Sequence, residues 1–205
     1  MIIAFAQQKG GAGKTTVLAH LAHAWAEDGK SVGMVDLDPQ RSLSMWAEHQ
    51  STLSLDCVES AGWRAGTDIK DMARGHDVTL IDCPGNASNL LEASLRESHL
   101  VLLPCQPSML DAWATSAVLE MAEREKTRAC VVLNRVPPRG GLMQEVRDTL
   151  DANGAMILEA TLGNRVAFAA GLARGTTALG LGRTTRATQE VLALRDEIDA
   201  LLAAA

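Results

Sequence analysis

The chain begins with a short apolar run that leads directly into a glycine-rich loop and then into a helical stretch. The apolar run covers residues 2–6, the loop covers 8–13, and the helical pattern covers 14–28. Glycines let successive backbone N–H groups turn toward one point, where the N-terminus of the following helix adds a partial positive charge. This order of strand, loop and helix predicts a βα unit that binds phosphate.

The residues of the loop have the chemistry that a nucleotide and its metal ion require. Lys14 has the length and charge to reach the β- and γ-phosphates, and the Thr15 hydroxyl is a suitable ligand for Mg²⁺. The small residues before them allow the backbone to approach the phosphates closely. The predicted nucleotide-binding positions in the loop are Gly10, Gly11, Ala12, Gly13, Lys14, Thr15 and Thr16.

Acidic residues follow two later apolar runs, where a parallel sheet would bring them close to the loop. Asp82 ends one run and precedes a Pro-Gly turn, so we predict that Asp82 holds the Mg²⁺ shell and that Gly85 approaches the γ-phosphate. Asp36 and Asp38 stand two residues apart at the end of another run. One of these two can serve Mg²⁺ through water while the other orients the attacking water.

The identity of the base is indicated by a missing motif. GTPases usually read guanine with an Asn-Lys-x-Asp element after a later strand. Here residues 134–137 are Asn-Arg-Val-Pro, with no Asp at the guanine-reading position. ATP is therefore favoured, and the amide of Asn134 is predicted to contact the edge of the base.

Short apolar runs alternate with longer helical stretches along the chain. Runs that are apolar on both faces are typical of buried parallel strands, so the pattern predicts an α/β fold of the P-loop NTPase type. We expect one domain over residues 1–205, with a doubly wound, mostly parallel sheet flanked by helices on both faces. The predicted strands are residues 2–6, 31–36, 78–82, 100–104 and 129–134, with weaker candidates at 52–58 and 155–158. The predicted helices are residues 14–28, 41–49, 89–97, 108–125, 142–152 and 185–202.

Together these motifs resemble those of the ParA/MinD family of deviant Walker ATPases, in particular the small ParF-like ParA proteins. The resemblance lies in KGGAGKTT at residues 9–16, in DLDPQ at 36–40 and in DCPG at 82–85. The proline-containing segment at residues 103–114 is also similar, so the resemblance covers essentially the whole chain. Its most specific feature is Lys9, a second lysine at the start of the loop.

The resemblance implies a role for each of these positions. Lys14 would be the Walker lysine, and Asp38 would position or activate the hydrolytic water. The implied metal shell consists of Thr15, Asp36 and Asp82. Lys9 would act catalytically across a nucleotide-sandwich homodimer, where it would reach the phosphates held by the second copy. ATP would then stabilise the dimer, and hydrolysis would weaken it by removing negative charge between two cations.

Cysteine usage and charge exclude several related branches. The four cysteines lack cluster-ligand spacing, which excludes an iron–sulfur protein, and the absence of Tyr excludes the tyrosine-kinase branch. Free, mostly buried thiols are the expected state. From residue 190 onward there are four acidic residues against one arginine, so the last predicted helix would be repelled by anionic lipid. We therefore expect no membrane partner. The free thiols fit a cytoplasmic protein, and DNA binding would make it nucleoid-associated.

One segment is basic although the chain as a whole has a net charge of −6. Residues 160–189 contain four arginines and no Asp or Glu. Arginine, hydroxyl and backbone N–H groups suit DNA phosphates, and the single aromatic residue there favours double-stranded over single-stranded DNA. A solvated arginine face is the alternative. The predicted DNA-binding residues are Arg165, Arg174, Arg183 and Arg186.

The favoured function is that of a ParA-type partition ATPase. ATP drives dimerisation, the dimer binds double-stranded DNA non-specifically, and a ParB-like or centromere-binding adaptor protein stimulates hydrolysis that is weak on its own. Plasmid or chromosomal DNA is the favoured cargo. A protein cargo, such as a chemoreceptor cluster or a carboxysome, would use the same mechanism. A metabolic P-loop ATP-dependent synthetase is the other alternative, against which Lys9 argues.

Overall fold

The computed structural model describes residues 1–50, 53–86, 89–139 and 142–204, in which strands and helices alternate. The strands are β1 (Ile2–Phe5), β2 (Val32–Asp36), β3 (Asp56–Glu59), β4 (Val78–Asp82), β5 (Leu100–Cys105), β6 (Ala129–Leu133) and β7 (Met156–Ile157). The helices are α1 (Lys14–Glu27), α2 (Ser42–His49), α3 (Ala65–Gly75), α4 (Asn89–Arg96), α5 (Met109–Arg124), α6 (Met143–Ala152), α7 (Val166–Ala173), α8 (Ala178–Leu181) and α9 (Arg186–Ala203).

The strands form one seven-stranded sheet in the order β3-β2-β4-β1-β5-β6-β7. Each pair of neighbouring strands in it is parallel. The predicted doubly wound fold is therefore confirmed, and the sheet is parallel throughout. Strand β1 lies in the middle, where the chain changes from building one half of the sheet to building the other. Ligands of such sheets bind at the carboxyl ends of the strands near this switch point.

Helices cover both faces of the sheet because successive strand residues point to opposite sides. On one face, Ile3 and Phe5 of β1 pack with Trp25 of α1 and with residues of α9. On the other face, Ala4 packs in a second cluster with buried residues of α3 to α6, among them Leu91. Burial on both faces explains why the strands appear in the sequence as continuous apolar runs.

The sequence patterns did not predict three of the helices. Helix α3 buries only Ala65 and Ile69 and contains a glycine in its first turn, so it has few of the apolar residues that mark a core helix in a sequence. Helices α7 and α8 lie in the glycine- and threonine-rich segment and contact α1. Such short helices depend on packing rather than on intrinsic propensity. The weak strand candidate at 52–58 is β3, and residue 52 lies outside the described residues.

The cysteines are free thiols, as predicted. Cys83, Cys105 and Cys130 are buried, and burial raises the pKa of Cys83 and Cys130 to about 12. Such thiols are inert packing residues because they do not form the reactive thiolate. Separately, none of the helices in the described ranges has the length and apolar character needed to cross a bilayer.

His20 joins α1 to α8 inside the protein. Its Nδ1 lies 2.7 Å from the carbonyl oxygen of Thr16, and its Nε2 lies 3.0 Å from the backbone nitrogen of Ala178. The carbonyl needs a donor and the N–H needs an acceptor, so the ring is assigned as neutral with its proton on Nδ1. Burial lowers the pKa of His20 from 6.5 to about 4.

We expect His20 to make the stability pH-dependent below neutrality. Between pH 6.5 and about 4 the unfolded chain binds a proton at His20 while the folded chain does not, so the free energy of unfolding falls as the pH falls. The full shift corresponds to roughly 3 kcal/mol. Urea unfolding at neutral pH and at about pH 5 measures the loss. His20→Gln, which does not titrate, should give a flatter pH dependence, and an unchanged slope would contradict this assignment.

Candidate functional site

The glycine-rich loop lies at the carboxyl end of β1 and leads directly into α1. Gly11 and Gly13 have φ angles of 79° and 100°, which residues with a Cβ rarely adopt. A Cβ at Gly13 would also come within 2.3 Å of the amide nitrogen of Asn134. The shape of the loop therefore depends on glycine at both positions.

The loop lines a cleft of 630 Å³ at the carboxyl ends of the strands. The other lining residues come from the segments after β2, β4 and β6 and from α2 and α7. A volume of this size is typical of a small-molecule or cofactor site. The sequence-predicted residues that line the cleft are Gly10, Gly11, Gly13, Lys14, Thr15, Thr16, Asp38 and Gly85.

Lys14 is buried, with 9% of its surface exposed, yet it lines the cleft. Its Nζ donates a long hydrogen bond of 3.4 Å to the carbonyl oxygen of Gln7. A Cβ added to Gly85 would lie 3.8 Å from the same Nζ. The lysine thus holds a positive charge against the cleft, with Gly85 beside it. The predicted approach of Gly85 to the γ-phosphate stays a prediction.

Thr15 and Asp82 meet beside the loop. The Thr15 hydroxyl donates to Asp82 Oδ2 at 2.6 Å, whereas Asp82 Oδ1 is buried and has no hydrogen-bond partner among the described residues. Burial raises the pKa of Asp82 from 3.8 to about 7, although Thr15 and Lys14 act in the opposite direction. Burying a carboxylate oxygen without a hydrogen-bond partner costs folding free energy, and a bound cation would offset that cost.

The chemistry of this pair fits Mg²⁺. The ion takes oxygen ligands and is usually held by one or two carboxylates together with phosphate oxygens and waters. Asp82 and Thr15 supply a carboxylate and a hydroxyl of this kind beside the phosphate loop. Across the described ranges no group of three or more His, Cys, Asp or Glu side chains is arranged to hold a metal by itself. The site therefore suits a metal ion that arrives with phosphate.

Asp36 is buried, and both of its carboxylate oxygens are occupied by hydrogen bonds within the chain. Oδ2 accepts from the backbone N–H and the hydroxyl of Ser44, at 2.8 and 2.9 Å. Oδ1 accepts from the backbone N–H of Asp38 at 3.1 Å. The structure thus shows Asp36 fixing the loop that carries Asp38 to the start of α2, and its part in a metal shell stays a prediction.

Lys9 lies outside the residues that line the cleft. Its Nζ forms an ion pair with Asp111 in the first turn of α5, and its side chain remains 37% exposed. Asp111 is fully buried and also accepts a hydrogen bond of 2.5 Å from the hydroxyl of Ser108. In a single chain, Lys9 is therefore held beside α5 rather than over its own phosphate site.

Asn134, whose amide is predicted to contact the base, makes two hydrogen bonds within the chain. Its Nδ2 donates to the carbonyl oxygen of Ala12 at 2.8 Å, and its Oδ1 accepts from the backbone N–H of Arg135 at 2.9 Å. The side chain is buried, with 4% of its surface exposed. In this conformation Asn134 braces the phosphate loop with one donor and one acceptor of its amide, and its contact with the base stays a prediction.

Other residues of the site were not predicted from the sequence. Gln106 donates from Nε2 to the carbonyl oxygen of Gly11 at 2.8 Å, and Gln7 donates to the Thr115 hydroxyl at 3.0 Å. Both glutamines come directly after or close to the end of an apolar run, which was the available signal. Arg135, with a left-handed φ of 54°, lines the cleft and was not predicted to do so.

The four arginines predicted to bind DNA differ in their surroundings. Arg165 forms a two-pronged ion pair with Glu190, at 2.8 and 2.5 Å. Arg186 lies 4.0 Å from the same carboxylate, and Arg183 lies 3.3 Å from Glu27. Arg174 is exposed and has no ion-pair partner in the described part of the chain.

Three of the four arginines therefore lie near a carboxylate in the folded chain, and DNA binding by the four stays a prediction. The segment itself contains no acidic residue, but carboxylates from α1 and from the start of α9 fold against it. Residue 190 lies one position beyond the acid-free run, and Glu27 is far away in sequence.

Comparisons with known proteins agree with a nucleotide-binding cleft at the phosphate loop. The family model described as the CobQ/CobB/MinD/ParA nucleotide binding domain matches residues 3–179. The chain is 29% identical to the maintenance of carboxysome distribution protein A (McdA) of Halothiobacillus neapolitanus, over 96% of this chain and 95% of the relative. It is 33% identical to a ParA protein of Rhizobium radiobacter, over 82% and 81% of the two chains. The solved structure of Pyrococcus horikoshii MinD with Mg-ADP superposes with a TM-score of 0.82 at 21% identity, covering 98% of this chain and 96% of the other.

Proposed function

Because the chain belongs to the CobQ/CobB/MinD/ParA family of nucleotide-binding domains, we propose that it is an ATPase that positions a cargo through a cycle of dimerisation and DNA binding. The observation that carries the ATPase part is the Thr15–Asp82 pair beside the phosphate loop, in which one carboxylate oxygen has no partner among the residues that the structure describes. The observation that carries the cycle is Lys9, which lies outside the cleft of its own chain.

In this proposal the phosphate loop binds ATP and the Thr15–Asp82 pair holds Mg²⁺. The metal ion, when bound, neutralises charge on the phosphates. Lys14 lies at the cleft and adds a cation to the phosphate-binding N–H groups. Asp38 also lines the cleft, where its half-buried carboxylate orients the attacking water.

Lys9 completes the site of a second copy. A lysine that reaches the partner's phosphates would have to leave Asp111, so nucleotide and dimer formation compete with the intramolecular ion pair. ATP favours the dimer because its phosphates offer Lys9 more negative charge than Asp111 does. Hydrolysis and phosphate release reverse that preference and favour the monomer. ATP thus shifts the population between monomer and dimer because it binds the two states with different affinity.

The DNA part of the proposal rests on the arginine segment and on the resemblance to partition proteins. The ATP dimer binds double-stranded DNA through phosphate contacts, and a ParB-like or centromere-binding adaptor stimulates hydrolysis. DNA is the first cargo that we propose. A protein cargo is the second, because the McdA relative matches the chain over nearly its whole length.

The metabolic alternative makes a different prediction. An ATP-dependent synthetase turns over only when its small acid substrate is present. A partition ATPase instead turns over faster with DNA and its adaptor. ATPase assays with each addition separate these two functions.

The proposed function predicts that DNA binding depends on the nucleotide. Purified protein should bind a DNA duplex at low salt with ATP and Mg²⁺, and poorly with ADP. In Asp38→Ala, hydrolysis should fall by roughly 100-fold because the water is no longer oriented, so the ATP-bound complex with DNA should last longer. Fluorescence anisotropy of labelled duplex measures binding and dissociation. Equally weak binding with ATP and with ADP would contradict the partition function.

A further inference from the structure

We propose that the turn between α7 and α8, residues 174–177, transmits nucleotide occupancy to the arginine surface, and that Arg174 and Arg183 are the DNA-contacting arginines that it positions. The inference rests on the proposed ATP-dependent DNA binding. It adds the route by which the nucleotide cleft acts on the arginine surface, and it names the two arginines that contact DNA. The turn is suited to this role because two helices that begin at the nucleotide cleft, α1 and α2, both contact it directly.

The contact with α1 is a chain of hydrogen bonds that ends at an arginine. His23 Nδ1 lies 2.6 Å from the buried hydroxyl of Thr177, which also accepts from the N–H of Leu179 in α8. The other ring nitrogen of His23 lies 3.4 Å from a Glu27 carboxylate oxygen, and the same oxygen lies 3.3 Å from Arg183. Arg183 is therefore oriented by groups on α1.

The contact with α2 is equally direct. Trp46 Nε1 donates to the carbonyl oxygen of Thr176 at 3.1 Å, and the Trp46 ring also lines the nucleotide cleft. At Gly175 a Cβ would come within 2.5 Å of the carbonyl oxygen of His49 at the end of α2. The backbones of α2 and the turn touch, so α2 cannot shift toward the turn unless the turn moves too.

Both helices begin at the nucleotide cleft. Helix α1 starts with Lys14, Thr15 and Thr16, and the Thr16 carbonyl is bonded to His20, which in turn bonds Ala178. Helix α2 follows the loop that Asp36 fixes. A small displacement of either start on nucleotide binding reaches residues 174–178 through close-packed contacts, which is the physical requirement for coupling between sites.

The arginines themselves support this selection. Arg165 is committed to Glu190 by two short hydrogen bonds, so its charge is compensated and its position does not depend on the turn. Arg174 lies in the turn without an ion-pair partner among the described residues. Arg183 and Arg186 are 81% and 80% exposed, and Arg183 is the one linked to the turn through Glu27 and His23. An exposed cation suits a DNA phosphate because the contact releases counterions from the DNA.

Two neighbouring threonines provide a matched test of the route. Thr177→Val removes the hydroxyl that links α8 to His23, whereas Thr176→Val removes a buried hydroxyl that has no partner in the described residues. We expect Thr177→Val to bind a fluorescent ATP analogue as the wild type does. Its DNA affinity with ATP should fall about tenfold toward that of the ADP form, because the hydroxyl that bonds His23 and accepts from the Leu179 N–H is lost. Thr176→Val should behave like the wild type.

The assignment of Arg174 as a DNA contact is tested by comparing its substitution with that of Arg165. Arg174→Gln should weaken ATP-dependent DNA binding about tenfold and reduce the salt dependence by about one phosphate contact. Arg165→Gln should leave that salt dependence unchanged. The reverse ranking would overturn the assignment of Arg174.

Hydrogen exchange separates failure of this inference from failure of the proposed function. ATP and Mg²⁺ should change the exchange protection of peptides covering residues 174–179 whether or not DNA is present. Unchanged protection, or unchanged ATP-dependent DNA affinity in folded Thr177→Val, overturns the route. A wild type that binds no DNA but shows changed protection refutes the proposed function and the arginine contacts, while the route stands. If Thr177→Val does not fold, His23→Leu removes the same hydrogen bond and decides the question with the same two measurements.

Discussion

Lys9→Ala is expected to retain ATP binding while ATP-dependent dimerisation and hydrolysis fall by roughly 100-fold or more, the scale seen when a charge-stabilising donor is removed from a reaction site. Lys9 does not line the cleft of its own chain, so the phosphate loop keeps its N–H groups and Lys14. The lost charge is the one that we propose acts on the partner's phosphates. Size-exclusion chromatography with ATP and Mg²⁺ measures the dimer, and a phosphate-release assay measures hydrolysis.

Asp111→Asn is the matched control for Lys9. It removes the negative charge that holds Lys9 in the single chain but leaves the lysine itself. Dimerisation with ATP should persist or occur at lower ATP concentration, because Lys9 no longer has to leave an ion pair. An intact ATP dimer in Lys9→Ala would refute the role across the dimer, and loss of the dimer in Asp111→Asn would refute the proposed competition.

The second large effect is expected for Asp82→Asn, in opposite directions for stability and for metal binding. The pKa of Asp82 is raised to about 7 by burial, so in the nucleotide-free protein its ionisation opposes folding. Between pH 3.8 and about 7 the folded chain binds the proton more tightly than the unfolded chain, so stability falls as the pH rises. Above this range Asp82→Asn should raise the free energy of unfolding by about 2 to 4 kcal/mol.

The same substitution should sharply weaken the Mg²⁺ dependence of ATP binding, since the carboxylate is the charged ligand of the Thr15–Asp82 pair. Denaturant unfolding without nucleotide measures the first effect, and titration of a fluorescent ATP analogue with and without Mg²⁺ measures the second. Thr15→Val is the control, because it removes the hydroxyl ligand and leaves the buried carboxylate without its hydrogen bond. It should weaken the Mg²⁺ dependence without stabilising the protein. Asp82→Asn with unchanged Mg²⁺ dependence would remove Asp82 from the metal site.

The fold was readable from the sequence where strands are buried on both faces. The runs that became β1, β2, β4, β5 and β6 are apolar except for Thr79 and the aspartates that end β2 and β4, and turn residues bound them, a pattern typical of buried parallel strands. Helices α3, α7 and α8 were not readable. Their signals are diluted by glycine or by a low count of buried residues, and tertiary packing decides their conformation.

The candidate site was readable where local backbone geometry dictates the residue type. Gly11 and Gly13 need positive φ angles, Lys14 and Thr15 follow at the first turn of a helix, and Asp82 ends a buried strand. Family membership confirms a nucleotide-binding domain. The sequence did not predict the role of a side chain that can bond either a ligand or another part of the chain. Asn134 bonds the phosphate loop, because Ala12 comes within its reach only once the folded sheet places β6 next to β5 and β5 next to β1.

The sequence by itself determined the parallel sheet, the phosphate loop and the acids at the strand ends, because each follows from short-range rules of backbone conformation and burial. Only the tertiary structure decided which charges compensate one another. Lys9 meets Asp111 across a separation of 102 residues, and Arg165 meets Glu190 across a separation of 25. Ion pairs of this kind depend on distance in space, which local sequence patterns do not encode. For that reason the tertiary structure alone holds Lys9 beside α5 and leaves Arg174 without a carboxylate in the part of the chain that it describes.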